Sequence, residues 1–495
     1  MLPLSIFSES LLSDNLLLLA SILIFFAILI AKVGVRLGAP SLLLFLLLGM
    51  LAGGDGLGLV FDDYEVAESI GHFAMTIILF TGGLETSLRE TKPVLRQGAL
   101  LSTLGVLTTA LLTGVFTYLA VGKWIGPLGA SFLGCFLLAA VMSSTDSASV
   151  FSVLRSQRAR LRENLGPMLE LESGSNDPMA YVLTIIVVEI LTSTKHTGTW
   201  AMIGTGAWVL VAQIVIGFVI GLAVGYGAKW LLQKITLPSN SLYSVIILSV
   251  GFFSNGLASL LFGNGLLSLY VTAIIIGNKL DIPQKRDILK FFNGMTWLMQ
   301  LVMFLMLGLL VRPSEFSAIA LPALAIGLFM MLVARPLSVF LCLAPFKGLS
   351  FRAKAFTSWV GLKGAGPILF ALCPVVAGLD GSTQIFNIVF FITLISLLIQ
   401  GMTLAPAARK LKLSYKEDPE VETFGMEIPD EMGMLRDHTV TEEELKFAET
   451  LRDLNLPHGI RVIMVKRDGR FLVPHGSMPL QPGDHLLIIM GDSDD

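Results

Sequence analysis

Three carboxylates lie close together in residues 141–181, VMSSTDSASVFSVLRSQRARLRENLGPMLELESGSNDPMAY: Asp146, Glu172 and Asp177. Each falls in an apolar stretch, and Arg155, Arg158, Arg160 and Arg162 lie between the first acid and the other two. An ionisable side chain at membrane depth costs roughly 2.5–3.5 kcal/mol on insertion scales, so its default reading is functional. Ser173 and Asp177 are four residues apart and share a helical face, whereas Glu172 is turned about 140° from Asp177. One face therefore offers a hydroxyl and a carboxylate, hard oxygen ligands suited to an alkali cation. Pro178 withholds a backbone donor and clashes with the carbonyl of Gly174, which frees local backbone oxygens. Glu172 needs a different partner, because a buried charge persists only when paired. Arg335, in Ala334-Arg335-Pro336, is the candidate; the alternative places Arg335 at the cytoplasmic interface with its guanidinium in water.

The elements that hold these groups must be membrane helices. The 495-residue chain is 54% hydrophobic and 14% charged, with a mean hydropathy of +0.77. That balance excludes an ordinary soluble domain and defines a polytopic membrane protein. The net charge of -3 is too unevenly spread to indicate a partner. Cys135, Cys342 and Cys373 all lie in apolar runs and read as small buried hydrophobes. Glu9 and Asp14 precede the first apolar run, which reads as a first span and not a cleaved signal peptide.

Apolar stretches of spanning length fall near 15–34, 40–58, 69–87, 97–121, 128–154, 164–193, 200–232, 240–262, 264–278, 288–311, 316–343, 354–376 and 384–407. The expected architecture is thus all-α, with about thirteen transmembrane helices. Alternate loops are basic (Arg89, Lys92 and Arg96; Lys279, Lys285, Arg286 and Lys290; Lys347, Arg352 and Lys354), while those between hold only Lys123, Lys195 and Arg312. By the positive-inside rule the N-terminus is outside and the C-terminus in the cytoplasm.

Two spans look interrupted. The fifth contains Ser143-Ser144-Thr145-Asp146-Ser147, and the twelfth contains Gly361-Leu362-Lys363-Gly364-Ala365-Gly366-Pro367. Each is the fifth span of a six-span set, with the seventh span as connector. Broken helices at corresponding positions point to a transport site between two inverted repeats. Crossed half-helices direct two positive N-termini and two negative C-termini into the interior. Asp146 would neutralise the former and Lys363 the latter. Asp177 is then the carboxylate without a fixed countercharge, able to hold either a proton or a metal ion. Glu85, near the end of the third span, either lines an ion access funnel or sits at the helix end beside Arg89. His72, near the outer end of that span, offers a weaker pH-sensing position.

After about residue 410 the chain becomes charged and turn-rich. A helical stretch is expected at Thr441–Leu454, then strands at Arg461–Lys466, Arg470–Val473 and His485–Met490. Asp468-Gly469 reads as a hairpin turn and Gln481-Pro482-Gly483-Asp484 as a tight turn. The expected domains are a transmembrane domain, 1–412, and a cytoplasmic linker with a small α+β module, 413–495.

The Thr145-Asp146 pair, with Asn176-Asp177 following Glu172 by four and five residues, resembles the cation/proton antiporter superfamily, in its electroneutral NhaP-type branch. The resemblance covers spans three to thirteen. It implies ion binding by Asp177, Ser173, Thr145, Asn176 and Asp146, a monovalent cation coordinated by Asp177, Ser173 and Thr145, and a structural pair of Glu172 with Arg335. The family's Gly-Leu-Arg-Gly-Ala run is Gly361-Leu362-Lys363-Gly364-Ala365 here, which keeps the charge but loses the guanidinium fork. Ser147 stands where many relatives have proline. Asp453-Leu454-Asn455-Leu456-Pro457, Gly459-Ile460-Arg461-Val462, Arg467-Asp468-Gly469 and Gly483-Asp484 resemble the C-terminal regulatory module of potassium-transport proteins, for which the ligand is open between a nucleotide and another small molecule. Together they imply K+/H+ or Na+/H+ exchange in a bacterial inner membrane, serving cation, pH and volume homeostasis. They also imply a homodimer, a mobile core moving past a static domain, no organic cofactor and no nucleic-acid partner. Some relatives continue into a further domain, whereas this sequence stops just after the last expected strand, which leaves open whether it is truncated.

Two other classes fit the sequence less well. A gated cation channel, or an efflux system with a ligand-binding tail, lacks a continuous carbonyl filter such as Thr-Val-Gly-Tyr-Gly. An intramembrane enzyme would require paired Gly-x-Gly-Asp acids, a His-Glu-x-x-His motif or a Ser/His dyad, and the spans contain none.

Overall fold

The computed structural model describes residues 16–37, 40–156, 159–193, 199–235, 237–280, 285–346, 348–416, 435–440, 445, 448–454, 460–467 and 470–490. The chain forms two compact units, Met1–Tyr415 and Lys416–Asp495.

The first unit is built of helices. In chain order they are α1 (Leu16–Leu37), α2 (Ser41–Ala52), α3 (Tyr64–Glu85), α4 (Leu88–Trp124), α5 (Phe132–Val141), α6 (Ser147–Ser156), α7 (Leu165–Thr192) and α8 (Thr199–Leu232). There follow α9 (Asn240–Leu260), α10 (Gly265–Lys279), α11 (Lys285–Leu309), α12 (Pro313–Leu343), α13 (Phe351–Trp359), α14 (Ala365–Val376) and α15 (Ser382–Lys410). Among the described residues eight helices are long and apolar enough to cross a membrane, within α3, α4, α7, α8, α9, α11, α12 and α15. Shorter apolar helices lie in α1, α2, α5, α10 and α14.

Local chemistry sets several boundaries. Asp63 accepts a hydrogen bond from Val66 N–H at 3.0 Å, so α3 starts five residues before the apolar stretch expected at 69. Ser131 and Ser350 cap α5 and α13 through Gly134 N–H at 3.0 Å and Ala353 N–H at 3.1 Å. Helix α12 passes through a π-turn at Met330–Ala334 immediately before Arg335-Pro336. Pro336 has no N–H to give the carbonyl of Leu332, so the ladder slips there and Arg335 is re-aimed.

Packing follows membrane rules. Helices α2 and α11 touch backbone to backbone: a Cβ on Gly49 would sit 2.3 Å from the Leu305 carbonyl oxygen. Small residues permit such approach where lipid gives no hydrophobic drive for association. Trp208, Val211, Val215 and Phe218 of α8 are exposed, as an apolar face turned to lipid would be. The three cysteines are buried and free.

The second unit carries a four-stranded antiparallel sheet of β1 (Leu435–Thr439), β2 (Ile460–Arg467), β3 (Arg470–Leu472) and β4 (His485–Met490), in the order β1-β4-β2-β3. Val462 and Arg436 both face Ile488 across the ladders. Val440, Val465, Met478, Leu480, Leu486 and Ile488 make its core. Strand β1 was hidden in the charged stretch; its pairing with β4 outweighs the weak strand preference of Arg436 and Asp437. Residues 448–454, expected to be helical, instead form a bridge and turns. Asp453 takes Thr450 N–H at 3.0 Å, while Leu451 N–H and Leu480 N–H bond across to Met478 and Glu449, which leaves no helical ladder. Residues 441–444 and 446–447 of that stretch, and the turn at 468–469, lie outside the described residues. The 481–484 turn closes through Asp484 N–H to Gln481 O at 3.1 Å, with Gly483 at φ +85°. Arg467 holds the Asp484 carboxylate through bonds of 2.8 and 2.7 Å. Burial acts to raise that carboxyl, but Arg467 and the Gln481 N–H hold it below the ordinary carboxylate range.

Candidate ion-binding site

The two polar runs are true breaks. Helix α5 ends at Val141 and α6 begins at Ser147; α13 ends at Trp359 and α14 begins at Ala365. The breaks meet. Asp146 N–H donates to Leu362 O at 2.8 Å, and Lys363 Nζ donates to Ser144 O at 2.7 Å. Lys363 is 2% exposed, and its own N–H donates to Ser396 Oγ of α15 at 3.0 Å. A point-charge donor suffices for a single carbonyl, so lysine serves without an arginine fork.

Asp146 caps α6, taking Ser149 N–H at 3.1 Å and the Ser149 hydroxyl. It also lies against Gly364, the N-cap residue of α14: a Cβ there would meet Asp146 Oδ2 at 2.1 Å. One carboxylate thus sits at the N-termini of two half-helices. Glycine at 364 is required by this contact.

Helix α7 runs unbroken through Pro178 and brings the remaining groups to the first break. Ser173 Oγ donates to Thr145 O at 2.9 Å and accepts Ser147 N–H at 3.0 Å. A proline at 147 could not make the second bond. Asn176 Nδ2 donates to Thr145 Oγ1 at 2.5 Å, and Asn176 Oδ1 is buried without a partner among the described residues. Asp177 accepts the hydroxyl of Ser144. On the opposite side of α7, Glu172 pairs with Arg335; they are 1% and 5% exposed. Gly361 of the second break packs on that guanidinium, where a Cβ would lie 3.0 Å from Arg335 Nε.

A cavity of about 180 Å³ reaches this centre. Asp146, Ser173 and Asp177 line it, whereas Thr145 and Asn176 are buried and do not. Glu85, exposed at the end of α3, also lines it. Sequence reasoning missed several residues of the centre. Ser144, whose hydroxyl bonds Asp177, lies inside the polar run without an assigned role. Glu170, on the cavity wall seven residues before Asp177, repeats its helical face. Tyr270 of α10 and Gln300 of α11 look like ordinary residues of apolar helices, and only the fold brings them to the wall. Tyr270 packs on Gly174, where a Cβ would come within 2.4 Å of the ring.

Two discontinuous helices crossing at a carboxylate-lined cavity define a secondary transporter architecture. The chain belongs to the family described as sodium/hydrogen exchanger, transmembrane, which it matches over residues 21–410; residues 438–494 match the TrkA-C domain. It is 38% identical over 482 residues to the K(+)/H(+) antiporter NhaP2 of Shewanella sp. (strain MR-4), covering 96% of this chain and 81% of that protein. It is 37% identical over 479 residues to the K(+)/H(+) antiporter NhaP of Alkalimonas amylolytica, covering 95% and 80%. The fold resembles the sodium proton antiporter MjNhaP1 from Methanocaldococcus jannaschii at pH 8, with a TM-score of 0.66, 21% identity, and coverage of 80% of this chain and 100% of the other.

Removing either member of the Glu172–Arg335 pair leaves a buried charge uncompensated, at roughly 3–5 kcal/mol. Glu172→Gln is therefore expected to lower the melting temperature of the purified protein with cation affinity nearly unchanged. A fully stable Glu172→Gln protein with greatly weakened cation binding would make Glu172 a ligand instead.

Proposed function

We propose that this protein exchanges a monovalent cation, preferentially K+, against protons, with Asp177 carrying either ion in turn. One observation carries the reading. Among the described residues Asp177 takes a bond only from the Ser144 hydroxyl and faces the cavity, while the other charges of the centre have fixed roles. Asp146 caps α6, Lys363 holds the Ser144 carbonyl and Glu172 holds Arg335. Asp177 and Ser173 supply the direct oxygen ligands, with Asp146 completing the negative site. Thr145 and Asn176 hold the unwound backbone in place from behind. The two relatives described as K(+)/H(+) antiporters, and the match of the tail to a TrkA-C domain, favour K+ over Na+.

The eight long and five shorter apolar helices make thirteen spans in this reading, arranged as two inverted six-helix repeats joined by α8. The basic loops lie in the cytoplasm of a bacterium, the membrane is its inner membrane and the N-terminus is outside. Glu85 and Glu170 then mark a cytoplasmic mouth, and the structure is inward-facing. Residues 1–412 form the transport domain, working as a homodimer in which a core carrying Asp177 moves past a static domain. Residues 413–495 form a cytoplasmic regulatory segment that adjusts transport to ion and volume demand. Asn176 cannot exchange a proton, so one carboxylate carries one proton or one cation and the turnover is electroneutral.

Asp177→Asn keeps the shape and removes the titrating group. It is expected to fold normally and to abolish K+-driven proton flux in proteoliposomes; strong cation-dependent proton movement would reject the assignment. In the native protein, apparent K+ affinity should fall as pH drops, since protons compete for the same carboxylate. A membrane potential imposed without ion gradients is expected to drive no net exchange, and a potential-driven proton current would reveal a second titrating group. A chain ended after Lys412 should still exchange ions with an altered response to pH or ligand; a well-folded but inactive truncation would show that the tail is part of the transport machinery.

A further inference from the structure

The cavity explains the route from Asp177 to the Glu85 end of α3, but an exchanger also needs a route to the opposite face. Two helix faces continue past the cavity in that direction. Along α3 and its C-cap, the residues Glu68, His72, Met75, Leu79, Gly82 and Thr86 follow one another at steps of four and three, so they form a single stripe. Its last four members line the cavity. Its first two, Glu68 and His72, lie beyond the end of the cavity, towards the start of α3 and the acidic Asp62, Asp63 and Glu65. On α7, Glu170, Gly174 and Asp177 line the cavity, and Tyr181 is the next residue of the same face, one turn or about 6 Å beyond Asp177.

These two continuations meet. The His72 and Tyr181 rings lie 5.7 Å apart, and Tyr181 lies 5.5 Å from the ring of Phe370 on α14. One turn further along α3, the Glu68 carboxylate lies beside Cys373 of α14. A phenol, an imidazole and a carboxylate thus occupy successive turns between Asp177 and the acidic start of α3, at the contact of α3 with the two helices that build the site. We propose that Tyr181, His72 and Glu68 form the outer half of the cation path, and that Glu68 is the carboxylate that recruits the monovalent cation from the outer face. In this arrangement Glu68 stands to the outer mouth as Glu85 and Glu170 stand to the inner one. The inference rests on the antiport reading and adds a sided prediction that the inner cavity does not make. A carboxylate placed in a low-dielectric cleft raises local cation concentration on its own side only.

The test uses the full chain in right-side-out and everted membrane vesicles, with K+ varied on the outer or the inner face and proton flux as the readout. Glu68→Gln is expected to raise the half-saturating outer K+ concentration roughly tenfold and to leave the inner value unchanged; Glu68→Asp should restore most of the loss. His72→Lys places a fixed positive charge on the same stripe, and should weaken outer K+ saturation with the inner value unchanged even if Glu68→Gln fails to fold. Equal effects on both faces, or none on either, in proteins with native melting behaviour would overturn the outer path. A native protein that moves no protons in response to K+ on either face would instead overturn the antiport reading itself.

Discussion

The structure depends on what happens to backbone groups that leave the helix at membrane depth. In hydrocarbon each unsatisfied N–H or C=O costs several kcal/mol, so a broken helix is tolerated only where protein or a wet cavity meets the freed groups. Here the two breaks satisfy one another. The Asp146 N–H finds Leu362 O, and the Ser144 carbonyl finds Lys363 Nζ. Neither break is stable without the other, because each supplies a partner that no lipid could. This mutual satisfaction fixes the unwound segments opposite each other and places Asp146 beside Gly364 at two helix starts.

From that constraint the division of labour among the charges follows. The junction consumes Asp146 and Lys363, and Arg335 consumes Glu172 on the far side of α7. The Thr145 hydroxyl is consumed behind the site, and that of Ser173 ties α7 to the first break while keeping one lone pair at the cavity wall. What remains at the crossing itself is the Asp177 carboxylate, held by one hydroxyl. Its freedom is a product of everything around it being committed, and so a residue with no chemistry of its own, Gly364, matters as much to the site as a ligand does.

The breaks, the candidate ligands and the Glu172–Arg335 pair were legible in the sequence because charge and helix breakers inside apolar runs have few bland explanations. Ser144 was legible only as one of several hydroxyls, since nothing in spacing says which one turns to Asp177. Tyr270 and Gln300 were not legible at all: an aromatic or an amide in a spanning helix carries no mark of which neighbour it will face. The tail shows the opposite failure. Its helix expected from composition at Thr441–Leu454 loses, over residues 448–454, to backbone bonds with the 476–480 segment. Strand β1, polar and unpromising alone, exists because β4 offers it a ladder. Local preference is a weak prior wherever a long-range partner supplies the hydrogen bonds.

The contact between Tyr270 and Gly174 carries the last step. Gly174 lies on the cavity face of α7, and the Tyr270 ring of α10 seats in the space its missing side chain leaves, with the Tyr270 hydroxyl 3.4 Å from Thr86 at the end of α3. Close packing leaves no slack at such a point, since any Cβ at 174 would collide with the ring. A glycine on the Asp177 face thus decides how near α10 comes to the cavity, as Gly364 decides how near Asp146 comes to the second break.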